Sequence, residues 1–144
     1  MPPIGINGSG TITGISVGGI PDGVVDTDVL AANAVTLGKI GTTEQGQLCK
    51  AWVNFNGTGT VAIRASFNVS SITDNGTGDY TVNFTTALVD ANYSACTAVS
   101  NNSPGWVSQA RVTSSSTSGG ARLNLTHSNS SSYDETHVHV SIFR

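Results

Sequence analysis

Charged side chains are scarce in this sequence: Asp, Glu, Lys and Arg together make up 10% of its 144 residues, against roughly 25% in an average soluble protein. The six Lys and Arg are scattered, and the net charge is −3. Nucleic-acid binding needs clustered cations to neutralise phosphates, so the reading excludes it. No apolar run approaches the ~20 residues of a membrane span, so no membrane insertion is expected. Met1-Pro2-Pro3 leads into Gly-rich sequence without a basic n-region, so no export signal is expected and the chain reads as folding in a cytoplasm. Cysteine is equally sparse. Cys49 and Cys96 lie far apart with no CxxC spacing, which reads as two free, buried thiols rather than a disulfide framework.

Catalytic patterns are missing as well. There is no Gly-x-Ser-x-Gly elbow to present a nucleophile. The only adjacent carboxylates, Asp134-Glu135, sit in a Ser-rich stretch beside Tyr133 and read as a solvated turn. Hydrolysis of polysaccharide pairs carboxylates across a groove, and this chain is too short for a long groove-bearing platform. The expectation is a protein that is not an enzyme and uses no cofactor.

Gly (17 residues), Ser, Thr and Asn fill the gap. Together they give a neutral surface of hydroxyls and amides, prone to pack against copies of itself. Residues 1–20 hold six glycines among small β-formers such as Ile4, Ile12 and Val17. Each glycine adds backbone entropy that ordering must overcome, so this segment reads as an extended arm that docks on a neighbouring protein. Residues 21–47 contain an imperfect ten-residue repeat, with Val25 over Val35 and Leu30 over Ile40. Read functionally, these apolar positions form a short stem buried where several chains meet around an axis. Read blandly, they belong to a linker with chance self-similarity.

Residues 48–144 read as an all-β head, an antiparallel β-sandwich of about seven strands. Val61, Ile63, Ala65, Phe67 and Val69 alternate with polar or small residues, the mark of a strand with one buried face. Tyr80, Val82 and Phe84 follow the same pattern, as do Val138, Val140 and Ile142. Weaker runs are Ala51-Val53-Phe55, 93–99, 106–112 and Leu123-Leu125. Between them stand turn signals such as Asn56-Gly57 and Asp74-Asn75-Gly76, which favour the positive φ of tight hairpins. Large apolar residues are expected on one face of each strand only. That core is thin for ~95 residues, and oligomerisation would remedy it.

The block from Ala51-Trp-Val-Asn-Phe to Tyr80-Thr-Val-Asn-Phe resembles the C-terminal domain of bacteriophage tail-fibre proteins. So do its continuation Thr85-Thr-Ala-Leu-Val-Asp-Ala-Asn-Tyr and the closing Val138-His-Val-Ser-Ile-Phe-Arg. The upstream Asn33-Ala-Val-Thr-x-x-Lys-Ile is similar to repeats that precede such domains. The resemblance implies a virion-borne homotrimer. Its N-terminal arm would dock on a tail, baseplate or capsid protein, and its C-terminal domain would face the host surface. The chain is shorter than most fibres, which leaves open a structural head-fibre, decoration or baseplate role without a receptor.

Residues 100–135 lie outside the better-matched part of that resemblance and are the expected receptor-reading surface. Glycans are held by aromatic faces with amides and hydroxyls around them. Trp106 and Tyr133, with Asn101, Asn102 and Gln109 nearby in sequence, carry that expectation for a host glycan or protein. Trp106 reads equally as a core or interface residue. Trp52 reads as packing, because its strand belongs to the framework. His137 and His139 share one face of a strand about 7 Å apart. They read as polar surface residues, with an axial metal site in a trimer as the alternative.

Overall fold

The computed structural model describes residues 5–6, 12–13, 32, 34–100 and 108–144. The chain divides into two compact units, Met1–Gly41 and Thr42–Arg144. In the first, strands β1 (Gly5–Ile6) and β2 (Ile12–Thr13) pair antiparallel, and a 3-10 turn covers Leu37–Lys39. Of the four predicted stem positions, Val35 is 59% exposed in the single chain and Ile40 is half-buried. Val25 and Leu30 lie outside the described residues.

Among the described residues, the second unit opens with one short helix, α1 (Thr42–Gln47), and is otherwise β-sandwich. Its strands are β3 (Cys49–Asn56), β4 (Ala62–Phe67), β5 (Val69–Gly76), β6 (Asp79–Phe84), β7 (Ser94–Val99), β8 (Ser108–Val112), β9 (Gly120–His127) and β10 (Val138–Phe143). They form two four-stranded antiparallel sheets. Sheet I has the order β4-β3-β10-β7 and sheet II the order β5-β6-β9-β8.

The core belongs to the central strands. Ala51, Val53 and Phe55 of β3 and Val138, Val140 and Ile142 of β10 are buried from sheet I. They meet Tyr80, Val82 and Phe84 of β6 and Ala121, Leu123 and Leu125 of β9. These are alternate residues along each strand, as a pleated ribbon with one covered face requires. Phe55 and Tyr80 meet edge-to-face at 5.3 Å between ring centroids, and Phe84 and Tyr93 at 5.9 Å. At one side of the sandwich the Thr97 hydroxyl on β7 donates to the Ala110 carbonyl on β8 at 2.5 Å, linking the two sheets.

The strands number eight because the run 61–69 is broken in two. Asn68 sits at φ 54°, left-handed backbone that Asn enters more readily than other non-glycine residues. Its side chain ties the corner together. The Asn68 amide donates to the carbonyls of Lys50 and Thr86 at 3.1 Å each, and its carbonyl accepts from the Thr86 amide at 2.8 Å. The chain then re-enters as β5 in the other sheet, a strand so rich in Ser and Thr that its apolar signal is reduced to Val69 and Ile72.

A second irregularity overturns the expectation that Ile63, Ala65 and Phe67 share one buried face. Phe55 pairs with Ile63, but Asn54 pairs with Ala65, leaving Arg64 as the extra residue of a β-bulge. The extra residue reverses the phase. Ile63 lies across from core residue Phe55, whereas Phe67 lies across from Trp52 on the outward side. All six residues of β4 are exposed, Ile63 at 37% and Phe67 at 55%.

Candidate functional site

Among the described residues, two places gather chemistry-bearing side chains: one end of the sandwich, and the outward face of sheet I. The end is built on the loop between β9 and β10. Gly78, at φ +68°, lets that loop pass close by. A Cβ there would meet the Leu125 carbonyl oxygen at 2.7 Å and the Tyr133 backbone at 2.9 Å. The Gly78 amide donates to Asp134 Oδ1 at 2.8 Å. Tyr80 reaches the same oxygen at 2.5 Å and the Gly57 carbonyl at 2.8 Å. Burial first, and the adjacent Asp134 second, push the Tyr80 phenol well above its ordinary value. It is a neutral donor locking the loop to the core.

Glu135 is 2% exposed. It accepts from Ser100 Oγ at 2.9 Å and Ser108 Oγ at 3.4 Å, joining the ends of β7 and β8. Glu135 is therefore a buried tie and not part of a solvated turn, whereas Asp134 stays exposed as the solvated reading expects, while also accepting from Gly78 and Tyr80. A buried carboxylate needs such hydrogen bonds. Tyr133 is half-buried, its ring stacked 3.6 Å from His127, and burial raises its phenol above the ordinary value.

Of the sequence-predicted receptor residues, Tyr133 is placed at this end, where it packs against the hydrophobic core. Gln109 is exposed on β8 opposite Thr126, on the outward side of sheet II. Asn101, Asn102 and Trp106 lie outside the described residues. His139 on β10 and His137 just before that strand stack with centroids 6.4 Å apart and planes within 13°. Among the described residues no cluster of three or more His, Cys, Asp and Glu could hold a metal.

The outward side of sheet I carries residues that the sequence reading assigned elsewhere. The pairing sets Phe67, Trp52, Ser141 and Cys96 in one row across the four strands. The next row is Ala65, Asn54, His139 and Ala98, with bulged Arg64 beside it. Trp52 is 39% exposed and points away from the core, because it is out of phase with buried Ala51, Val53 and Phe55. Its reading as packing is thus corrected. That phase was visible in the sequence; the outward turn of Phe67 was not, since it depends on the bulge. Cys49 and Cys96 are free, but Cys96 is exposed on this face and Cys49 only half-buried.

Arg64 Nη1 donates to Asn54 Oδ1 at 3.4 Å and pairs with no carboxylate among the described residues. At the end of the face a bulge in β3 holds Lys50, whose ammonium donates to the Gln45 carbonyl at 2.6 Å. No Asp or Glu lies on these two rows. The face thus combines two aromatic rings, amides, imidazoles and cations.

The outward side of sheet II is different. Asn83 Nδ2 donates to Ser71 Oγ at 3.0 Å and Thr73 Oγ1 at 2.9 Å, and Asn75 Nδ2 to Thr81 Oγ1 at 2.9 Å. Arg122 grips Asp79 through two bonds of 2.9 and 2.7 Å. The Arg122 hydrogen bonds hold the Asp79 carboxyl below the ordinary carboxylate value.

Among the described residues, fold and surface together define an all-β sandwich with an open aromatic face on sheet I. Searches of protein-family models, curated proteins and solved structures find no match to this chain. Among the described residues no helix is long and apolar enough to cross a membrane.

Proposed function

We propose that this chain is a virion fibre protein of a bacteriophage. It works as a homotrimer, docked on the particle through its N-terminal segment, with the Thr42–Arg144 unit presented for attachment to host-surface glycan. The observation that carries the reading is the antiparallel β-sandwich over the residues that resemble tail-fibre C-terminal domains. Two further features support a binding role over a catalytic one. Asp134 and Glu135 are engaged by Tyr80, Gly78, Ser100 and Ser108 as ties of the fold. The face of sheet I sets two open aromatic rings beside the Asn54 amide and the Arg64 guanidinium, groups that hold ligands without needing to move protons.

The test uses the full-length chain. Sedimentation is expected to give three times the chain mass, and labelled protein is expected to adhere to cells of some members of a bacterial panel. Adhesion is expected to be lost when surface polysaccharide is stripped. A stable monomer at low concentration would refute the trimer. Trimers that adhere to no cell at micromolar concentration, but decorate phage heads or baseplates in electron micrographs, would replace attachment with a structural role.

A further inference from the structure

We infer that the outward face of sheet I is a binding platform for an acidic polysaccharide, centred on Trp52, Phe67, Arg64, Asn54 and His139. This rests on the attachment reading and assigns the ligand a class and a surface apart from the 100–135 loops.

The geometry begins with the aromatic pair. Trp52 and Phe67 are directly opposed on neighbouring strands, which places their Cβ atoms about 5 Å apart on one face. Both stay open, at 39% and 55%. Two adjacent rings on a pleated sheet give a shallow apolar shelf for the C–H faces of sugar rings. Beside the shelf stand groups that pair with ring hydroxyls and carboxylates. These are the Asn54 amide, the bulged Arg64 guanidinium and the His139 imidazole one strand further on.

Charge decides the ligand class. The protein carries nine Asp and Glu against six Lys and Arg, yet this face holds Arg64, and Lys50 at its end, with no carboxylate in its rows. Arg64 is held by a neutral amide, so its fork remains available to a carboxylate or phosphate, the partners its planar geometry suits. A second copy packed on the same rows would offer Arg64 no carboxylate to pair with. An anionic sugar polymer meets both the rings and the charge.

The test measures binding of the full chain to alginate, a polymer of uronic acids, and to dextran, a neutral glucan. Trp52→Ala, Phe67→Ala and Arg64→Ala variants are compared with Arg111→Ala, which alters an exposed cation on sheet II. Circular dichroism and sedimentation confirm the fold and assembly of each. Alginate is expected to bind and dextran not. Each sheet I variant is expected to weaken binding by about tenfold or more, with partial rescue by Trp52→Phe and Arg64→Lys, whereas Arg111→Ala leaves it unchanged.

Equal loss in Arg111→Ala would reduce the effect to unspecific charge attraction and overturn the platform. So would tighter binding of dextran than alginate. A changed sedimentation coefficient in the Trp52 or Phe67 variants would make the face a contact between copies instead. Cell adhesion separates the two proposals. Adhesion that persists undiminished in all three sheet I variants ends the platform and spares the attachment role. Absence of adhesion and of polysaccharide binding by the unaltered protein ends both.

Discussion

The outward faces of the two sheets are built from the same sparse alphabet and behave oppositely. On sheet II, Asn83, Asn75 and Arg122 spend their donors on Ser71, Thr73, Thr81 and Asp79. On sheet I, Trp52 and Phe67 present their rings to the surroundings, and the Arg64 guanidinium has one neutral partner. A polar group already paired within the protein must break that pair to hold a ligand, whereas an exposed ring gains on covering. The comparison teaches that recognition capacity in a charge-poor protein depends on which groups remain uncommitted.

Substitutions sharpen that contrast in order of size. Leu123 is fully buried on the inner side of sheet II, and Leu123→Ala is expected to cost about 3 kcal/mol in chemical denaturation. Trp52→Ala and Phe67→Ala should cost less, about 1 kcal/mol each, because their rings are 39% and 55% exposed and only partly covered by the fold. A cost for Trp52→Ala equal to that of Leu123→Ala would mean the face is covered in the native assembly, and the contrast would collapse.

The corner between the sheets comes next. Asn68→Ala removes three side-chain hydrogen bonds and places a Cβ-bearing residue without a capping amide at φ 54°, with an expected loss of about 2 kcal/mol. Asn68→Gly keeps the backbone comfortable and should lose about half as much. Equal losses would show that the hydrogen bonds, not the backbone conformation, determine the corner.

Smaller effects probe the polar face. Asn83→Ala should destabilise by about 1 kcal/mol through the loss of its hydroxyl partners. Arg122→Ala should cost less than Asn83→Ala, and less still in high salt, because the Arg122 side chain is 40% exposed.

The smallest effect is on acid stability. The hydrogen bonds from Arg144 hold Asp90 at about 2 against an ordinary 3.8, and Asp79 is lowered in the same direction by Arg122. A carboxylate with a depressed folded value stabilises the fold above its unfolded value and loses that contribution as pH falls through the folded one. Stability should therefore decline from about pH 4 towards about pH 2. Arg144→Ala should flatten part of that decline, as read by thermal unfolding across the range.

The sandwich was legible because the central strands obey simple rules. Ala51-Val53-Phe55, Tyr80-Val82-Phe84, Leu123-Leu125 and Val138-Val140-Ile142 alternate cleanly and are buried as alternation predicts. The edges were not legible. A left-handed Asn68 and a bulge at Arg64 each break period two, and both depend on partners distant in sequence: Lys50 and Thr86 for one, Asn54 for the other. The site followed the same division. Trp52 could be placed outward from its phase, Phe67 only from the bulge. Asp134-Glu135 gave no local sign that Tyr80 and Ser100, far away in sequence, would bind them.

The most direct measurement of the contrast is a map of backbone amide shifts in the isotope-labelled full chain titrated with alginate oligomers. The largest shifts are expected at Trp52, Asn54, Arg64, Phe67 and His139, with sheet II quiet. Shifts centred on Gln109, Arg111 and Asn124, or a sheet I face that stays silent while oligomer binds, would contradict it.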